Sequence, residues 1–139
     1  MVDKKQTKVI HVSGKRKKSV ARATVKKGTG IVKINKKPLA IYSTELSRLR
    51  VKEPLLLAEG VATEVDISVN VFGGGWSSQT EAVRLSIAKA LVEYTKSAEL
   101  KKKYLDYDRH LLVADTRYKE AKKPGTHSHA RSKRQLSFR

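Results

Sequence analysis

The chain has no cysteine among its 139 residues. That excludes disulfides, thiolate metal sites and a cysteine nucleophile, and it fits a reducing cytosol. No apolar run approaches the roughly 20 residues that cross a bilayer, so no membrane partner is expected. The opening MVDKKQTK is basic with no apolar stretch behind it, so it does not read as a signal peptide. No internal repeat is present. Acidic residues are few: 13 Asp+Glu face 31 Lys+Arg, a formal net charge of +18.

That charge is unevenly placed. Residues 1–27 hold ten Lys+Arg against Asp3 alone, and residues 117–139 hold eight against Glu120 alone, leaving a nearly neutral middle. The hydrophobic fraction of 39% is low and the charged fraction of 32% high, because the two ends pull the averages. The length suits one domain. A near-neutral body with two cationic ends points to a partner of opposite sign, and a phosphate backbone is the expected one.

The body reads as residues 1–115, with 1–6 a flexible start and a modest core built by about 7–113. Thr7–Ser13 alternates as a short strand, and Gly14–Lys18 (GKRKK) reads as a cationic loop. Ser19–Lys26 is a clean strand with Ser19, Ala21, Ala23 and Val25 on one face and Val20, Arg22, Thr24 and Lys26 on the other. The glycines of KKGTG then predict a hairpin returning as Ile31–Asn35. A helix capped by Ser43 or Thr44 runs to about Lys52, with Pro54 breaking or restarting it and Gly60 ending it. Val61–Phe72 is the strongest strand, apolar on one face and polar on the other. Ser78 and Glu81 predict a capping box for a long helix, whose Val83, Ile87, Ala90, Leu91 and Tyr94 form one stripe against the sheet. Ala98–Tyr107 reads as more helix and Leu111–Val113 as a last strand. Residues 116–139 have no apolar period and include a Pro-Gly break, so they predict an extended basic tail that orders on a partner. The fold expected is α+β: one compact domain, a mostly antiparallel sheet covered by helices on one face, and the tail.

Gly73-Gly74-Gly75, between a strand and a helix, is either a tight turn or RNA contact, or an anion site for a nucleotide; the Walker pattern is absent and no lysine follows. Trp76 beside it either stacks on a base or anchors the loop on the core, with packing the favoured reading. His127 and His129 lack cysteine partners and read as solvated or phosphate-facing, so no metal or other cofactor is expected. Asp106 and Asp108 read as local ion pairing and helix termination. His11 and His110 stand apart from any nucleophile, and no catalytic constellation is assignable. The cationic clusters carry the function: Lys15, Arg16, Lys17 and Lys18 at the tip, Arg22 and Lys26 on the strand, and Arg117, Lys119, Lys122, Lys123, Arg131, Lys133 and Arg134 in the tail.

Four segments, in order, carry a resemblance that covers almost the whole chain. They are GKRKKSVARATV (Gly14–Val25) with GTGIVKINKKPL (Gly28–Leu39), VNVFGGGWSSQTEAVRLSIAKAL (Val69–Leu91), YDRHLLVADTRYKEAKKPG (Tyr107–Gly125), and the terminal Gln135–Arg139. Together they resemble the universal small ribosomal subunit protein number nine family in its archaeal-like form. The resemblance implies a non-enzymatic structural protein, cytoplasmic and ribosome-bound, in the head of the small subunit on the 3′ major domain of its rRNA, with other small-subunit proteins as neighbours. It implies a tail that threads through RNA, Arg131, Lys133 and Arg134 lining the route, toward the peptidyl-site tRNA, which Arg139 would touch. The bacterial form typically ends Ser-Lys-Arg. Here the end is Ser137-Phe138-Arg139, so a contact at position 138 would be stacking or packing rather than phosphate pairing. Two rivals are a basic RNA-processing enzyme or small-molecule kinase using the glycine loop, and a generic cationic binder of DNA or acidic membranes.

Overall fold

The computed structural model describes residues 9–126 and 128–131. Five strands form one sheet: β1 (Ile10–Arg16), β2 (Ser19–Lys27), β3 (Val32–Ile34), β4 (Lys37–Pro38) and β5 (Val65–Phe72), in the order β1-β2-β5-β3-β4. Among these strands β3 and β5 pair in parallel; the other neighbours are antiparallel. The helices are α1 (Glu45–Ala58), α2 (Gly60–Thr63), α3 (Trp76–Thr95) and α4 (Ala98–Tyr107), with short 3-10 turns at Leu39–Ile41 and Arg109–Leu111. The α+β architecture, the mostly antiparallel sheet and its single helix-covered face are as the sequence predicts.

The alternation in β2 and β5 places the core. Ala21, Ala23, Val25, Val65, Ile67, Val69 and Val71 are buried and meet Val83, Ile87, Ala90 and Leu91 of α3. α3 lies across β1 and β2, α1 packs on α3, and α4 joins α1. Small residues let α3 come close. A side chain on buried Gly14 would strike the Ala82 carbonyl and come within 2.8 Å of the Ser86 amide. Gly14 therefore belongs to β1, opposite Ala21, and is not part of a loop. The strand runs on through Arg16, and only Lys17 and Lys18 make the turn, Lys17 at φ +50°.

Several local expectations are corrected. β2 and β3 do not form a hairpin, because β5 lies between them. The 28–31 loop instead crosses the end of β5, where Asp66 accepts from the Thr29 and Ile31 amides at 2.9 and 3.1 Å. Those amide bonds, first Thr29 and then Ile31, hold the Asp66 carboxyl below its ordinary value. The fifth strand begins at Val65 rather than Val61. Adjacent Val61 and Ala62 both pack on the core, which neighbouring strand residues cannot do, and a turn of helix achieves it.

Pro54 does not break α1, which runs from its Thr44 cap to Ala58. Val51, Pro54 and Ala58 are buried together, and that packing outweighs a proline's usual cost of about 3 kcal/mol. The Pro54 carbonyl accepts from the buried Tyr104 hydroxyl at 2.7 Å, and burial raises the Tyr104 pKa. The predicted capping box is displaced as well. Gly75 is the N-cap of α3, Ser78 accepts from its amide at 3.1 Å, and Glu81 instead pairs with Arg50 of α1 at 2.5 Å. Leu111–Val113 is not a strand. Asp108 caps a 3-10 turn there by accepting from the His110 amide at 2.8 Å, and Leu111 is the residue buried. Beyond Leu111 the described residues contain no helix or strand.

Candidate nucleic-acid interface

The tip of the first basic stretch, at Arg16 and Lys17, meets the start of the second, at Arg117 and Tyr118, at one edge of the molecule. Arg16 at the end of β1 pairs with Asp115 at 3.1 Å and donates to the Arg117 carbonyl at 3.2 Å. Tyr118 donates its hydroxyl to the Lys17 carbonyl at 2.9 Å. The Asp115 carboxylate also takes the Arg117 amide and guanidinium, at 2.9 and 2.8 Å. The Arg117 guanidinium bond, its amide, and more weakly the Arg16 charge hold Asp115 well below the usual carboxylate range. Residues 115–118 are thus fastened to the hairpin tip.

A cleft of about 860 Å³ opens beside this fastening. Lys15, Arg16, Lys17, Lys18, Gly74, Gly75, Arg117 and Lys119 line it, so eight of the residues picked out by charge or glycine content converge there. Its floor comes from α1, α3 and the turn after α4. Arg84, only 8% exposed, binds Glu53 at 2.6 Å and Asp108 at 2.7 Å. Burial works against the Arg84 charge, and Asp108 and then Glu53 override it, raising the guanidinium pKa. Asp108 is therefore in an ion pair and a cap, as its spacing suggested. The acids of the floor face Arg50 and Arg84, while Lys15, Lys17 and Lys18 remain exposed.

The glycine turn is shaped by close approach. Gly73 and Gly74 have φ of +75° and +63°. A side chain on Gly73 would strike the Lys18 carbonyl, and one on Gly74 would strike the Ser19 hydroxyl. The Gly73 carbonyl accepts from Ser19 at 2.8 Å and Gln79 at 3.0 Å. With the Gly75 amide also engaged by Ser78, the turn reading outweighs a nucleotide pocket. Trp76 is not packed on the core: it is 55% exposed at the cleft, which corrects the favoured packing reading. As first residue of α3 it lies on the same helical face as Thr80 and Val83 but one turn ahead of the buried part of that stripe, at the open end of the helix.

Other sites lie elsewhere. Arg22 and Lys26 are exposed on the uncovered sheet face. Lys122 and Lys123 line a shallow depression with Pro124, Gly125 and Ser128. Arg131 pairs with Glu120 at 2.7 Å on the surface, a contact worth little in water. Lys133, Arg134 and Arg139 lie outside the described residues, as does His127. His11 shares a 3.0 Å hydrogen bond with Thr24. Among the described residues no group of three or more His, Cys, Asp or Glu is placed to hold a metal ion, and no helix is long and apolar enough to cross a membrane.

Sequence reasoning missed three surface residues of this region. Phe72, 51% exposed, and Lys33 lie on the open sheet face, and Tyr118, 54% exposed, lies at the cleft. Phe72 was within reach of a parity count: it continues the polar series Asp66, Ser68 and Asn70 by two residues. The Tyr118 contact spans 101 residues and has no local signal.

A small α+β domain with a cationic edge and a bare cationic sheet face has the charge pattern of the class of basic nucleic-acid-binding proteins. The family described as ribosomal protein S9/S16 matches residues 14–139, and the chain belongs to that family. Over 132 residues it is 49% identical to the small ribosomal subunit protein uS9 of Desulfurococcus amylolyticus, covering 95% of this chain and 94% of the relative. The protein of the same name from Methanococcus maripaludis is 45% identical over 133 residues, 95% and 99% of the two chains. That of Pyrobaculum aerophilum is 48% identical over 132 residues, 95% and 92%. A member of this family is a structural protein, not an enzyme.

Proposed function

We propose that the chain is a structural constituent of the small ribosomal subunit, ribosome-bound in the cytoplasm, and that it holds the rRNA of the subunit head, in the 3′ major domain. The observation that carries this is the convergence of Lys15, Lys17 and Lys18 with Lys119 around one cleft, in a chain of the ribosomal protein S9/S16 family. Lysines there neutralise phosphates and release counterions, while the folded body fixes their positions. Lys122, Lys123, Arg131, Lys133 and Arg134 continue along RNA from a start fastened at Asp115–Tyr118. Arg139 ends the tail at the peptidyl-site tRNA. Neighbouring small-subunit proteins complete the surroundings.

Crosslinking the chain in cells and sequencing the attached RNA tests the reading. Crosslinks are expected to concentrate in the 3′ major domain of small-subunit rRNA; a spread over messenger RNA or duplex DNA would overturn it. For the tail, Arg139→Ala is expected to weaken tRNA retention in the peptidyl site while leaving subunit assembly intact. Unchanged retention in filter binding on mutant subunits contradicts that contact.

A further inference from the structure

The side of the sheet away from the helices has a composition unlike an ordinary solvated face. Cross-strand register places Lys15, Val20 and Phe72 in one row and Ser13, Arg22 and Asn70 in the next. Thr24 and Ser68 follow, with Lys33 beside Ser68, and then Lys26 opposite Asp66. Phe72 is 51% exposed although it is a large aromatic on a strand. The Arg22 guanidinium carbon lies over its ring, 5.5 Å from the centroid.

We propose that this face binds a single unstacked RNA base on the Arg22–Phe72 pair, with the adjoining phosphates on Lys15 and Lys26. Aromatic rings and guanidinium planes are the two side-chain surfaces on which splayed-out bases stack. Arg22 already lies over the ring, so base, guanidinium and ring extend one stack with little reordering. Asn70, in the same row as Arg22, supplies an amide donor and acceptor for a base edge. Lys15 lies in the ring's own row and Lys26 two rows beyond Arg22, so cations flank the platform on both sides.

Charge favours RNA over a protein partner. Among the described residues Asp66 is the only acid on this face of the strands, and its Oδ1 accepts from the Thr29 and Ile31 amides. Lysine is depleted at protein interfaces, whereas here Lys15, Lys26 and Lys33 surround the Arg22–Phe72 pair. The stacking pair itself stands outside the cleft, since neither Phe72 nor Arg22 lines it, and Lys15 is the residue the two share.

This inference rests on the rRNA-binding reading, and the experiment keeps the two apart. The full chain is titrated with a transcript of the 3′ major domain at several potassium chloride concentrations. The variants are Phe72→Leu, Phe72→Tyr and Arg22→Gln, with thermal melts confirming that each is folded. Phe72→Leu should weaken binding by roughly 5- to 100-fold, the loss typical of one stacked base. The dependence of its affinity on salt should stay unchanged, since no cation is removed. Phe72→Tyr should bind as the parent does, because the ring is kept. Arg22→Gln should weaken binding and also flatten the salt dependence. Parent-like affinity for Phe72→Leu overturns the base platform, whether the face meets phosphate alone or is covered by a protein. If the parent chain itself shows no preference for this transcript over duplex DNA, the rRNA-binding reading has failed and the platform with it.

Discussion

Replacing Arg84 with methionine is expected to lower the unfolding free energy by about 3 kcal/mol, the lower end for breaking a buried ion pair. For a chain of this size that is a fall of about 10 °C in Tm. Methionine keeps much of the packing volume but leaves Glu53 and Asp108 facing each other without their shared cation. Both carboxylates are about a third exposed and regain some water, which keeps the loss from being larger. Adding Glu53→Gln and Asp108→Asn to Arg84→Met should recover much of it, because no charge is then left unpaired. Acid should reproduce part of the effect. Burial opposes the Asp108 charge, but the His110 amide and the Arg84 guanidinium hold its pKa below the ordinary 3.8. A depressed carboxylate contributes its stability above the unfolded value and loses it as pH falls through the folded one. Melting curves from about pH 2 to about pH 6, a span around the ordinary Asp range, should show that loss in the parent and less of it in Asp108→Asn. The triad joins α1, α3 and the turn that leads the chain to Asp115.

The second large effect concerns RNA. Changing Lys15, Lys17 and Lys18 together to glutamine should reduce affinity for the 3′ major domain on the order of 100-fold at low salt, because each lysine–phosphate pairing is worth about 1 kcal/mol. All three side chains are exposed, so the fold should stay intact. Arg16 stays in that variant, because its pairing with Asp115 fastens the tail. Arg16→Gln alone does the converse: it releases the fastening and leaves the three lysines in place.

How far the sequence was readable depended on the range of the interaction. The alternation of Ser19–Lys26 and Val61–Phe72 is local and dense, so it marked the two central strands and their buried faces, although the second strand starts at Val65 rather than Val61. The α3 stripe from Val83 to Leu91 was legible for the same reason. The hairpin after Lys27 was not. Its glycines permit a turn, but nothing nearby reveals that β5, nearly 40 residues later, occupies the edge of β2. Gly14 looked like loop punctuation because its reason, the backbone of α3, lies about 70 residues away. Propensity alone ends a helix at Pro54, and the packing of α1 on α3, far away in sequence, keeps it continuous. At the candidate site, charge composition named the basic residues well. It carried no sign that Asp115 would bring the start of the second basic stretch to the hairpin tip, or that Trp76 and Phe72 would stand in solvent.

We propose that the folded β1–β2 frame presents the hairpin-tip lysines to phosphate. The most direct test of this claim is the slope of log affinity against log salt for the 3′ major domain transcript, measured on the parent and on the Lys15, Lys17 and Lys18 glutamine variant. Each phosphate contact contributes about 0.7 to 0.9 to that slope, so the variant's slope should be shallower by roughly 2 to 3. Equal slopes in the two proteins, with both folded, would contradict the claim.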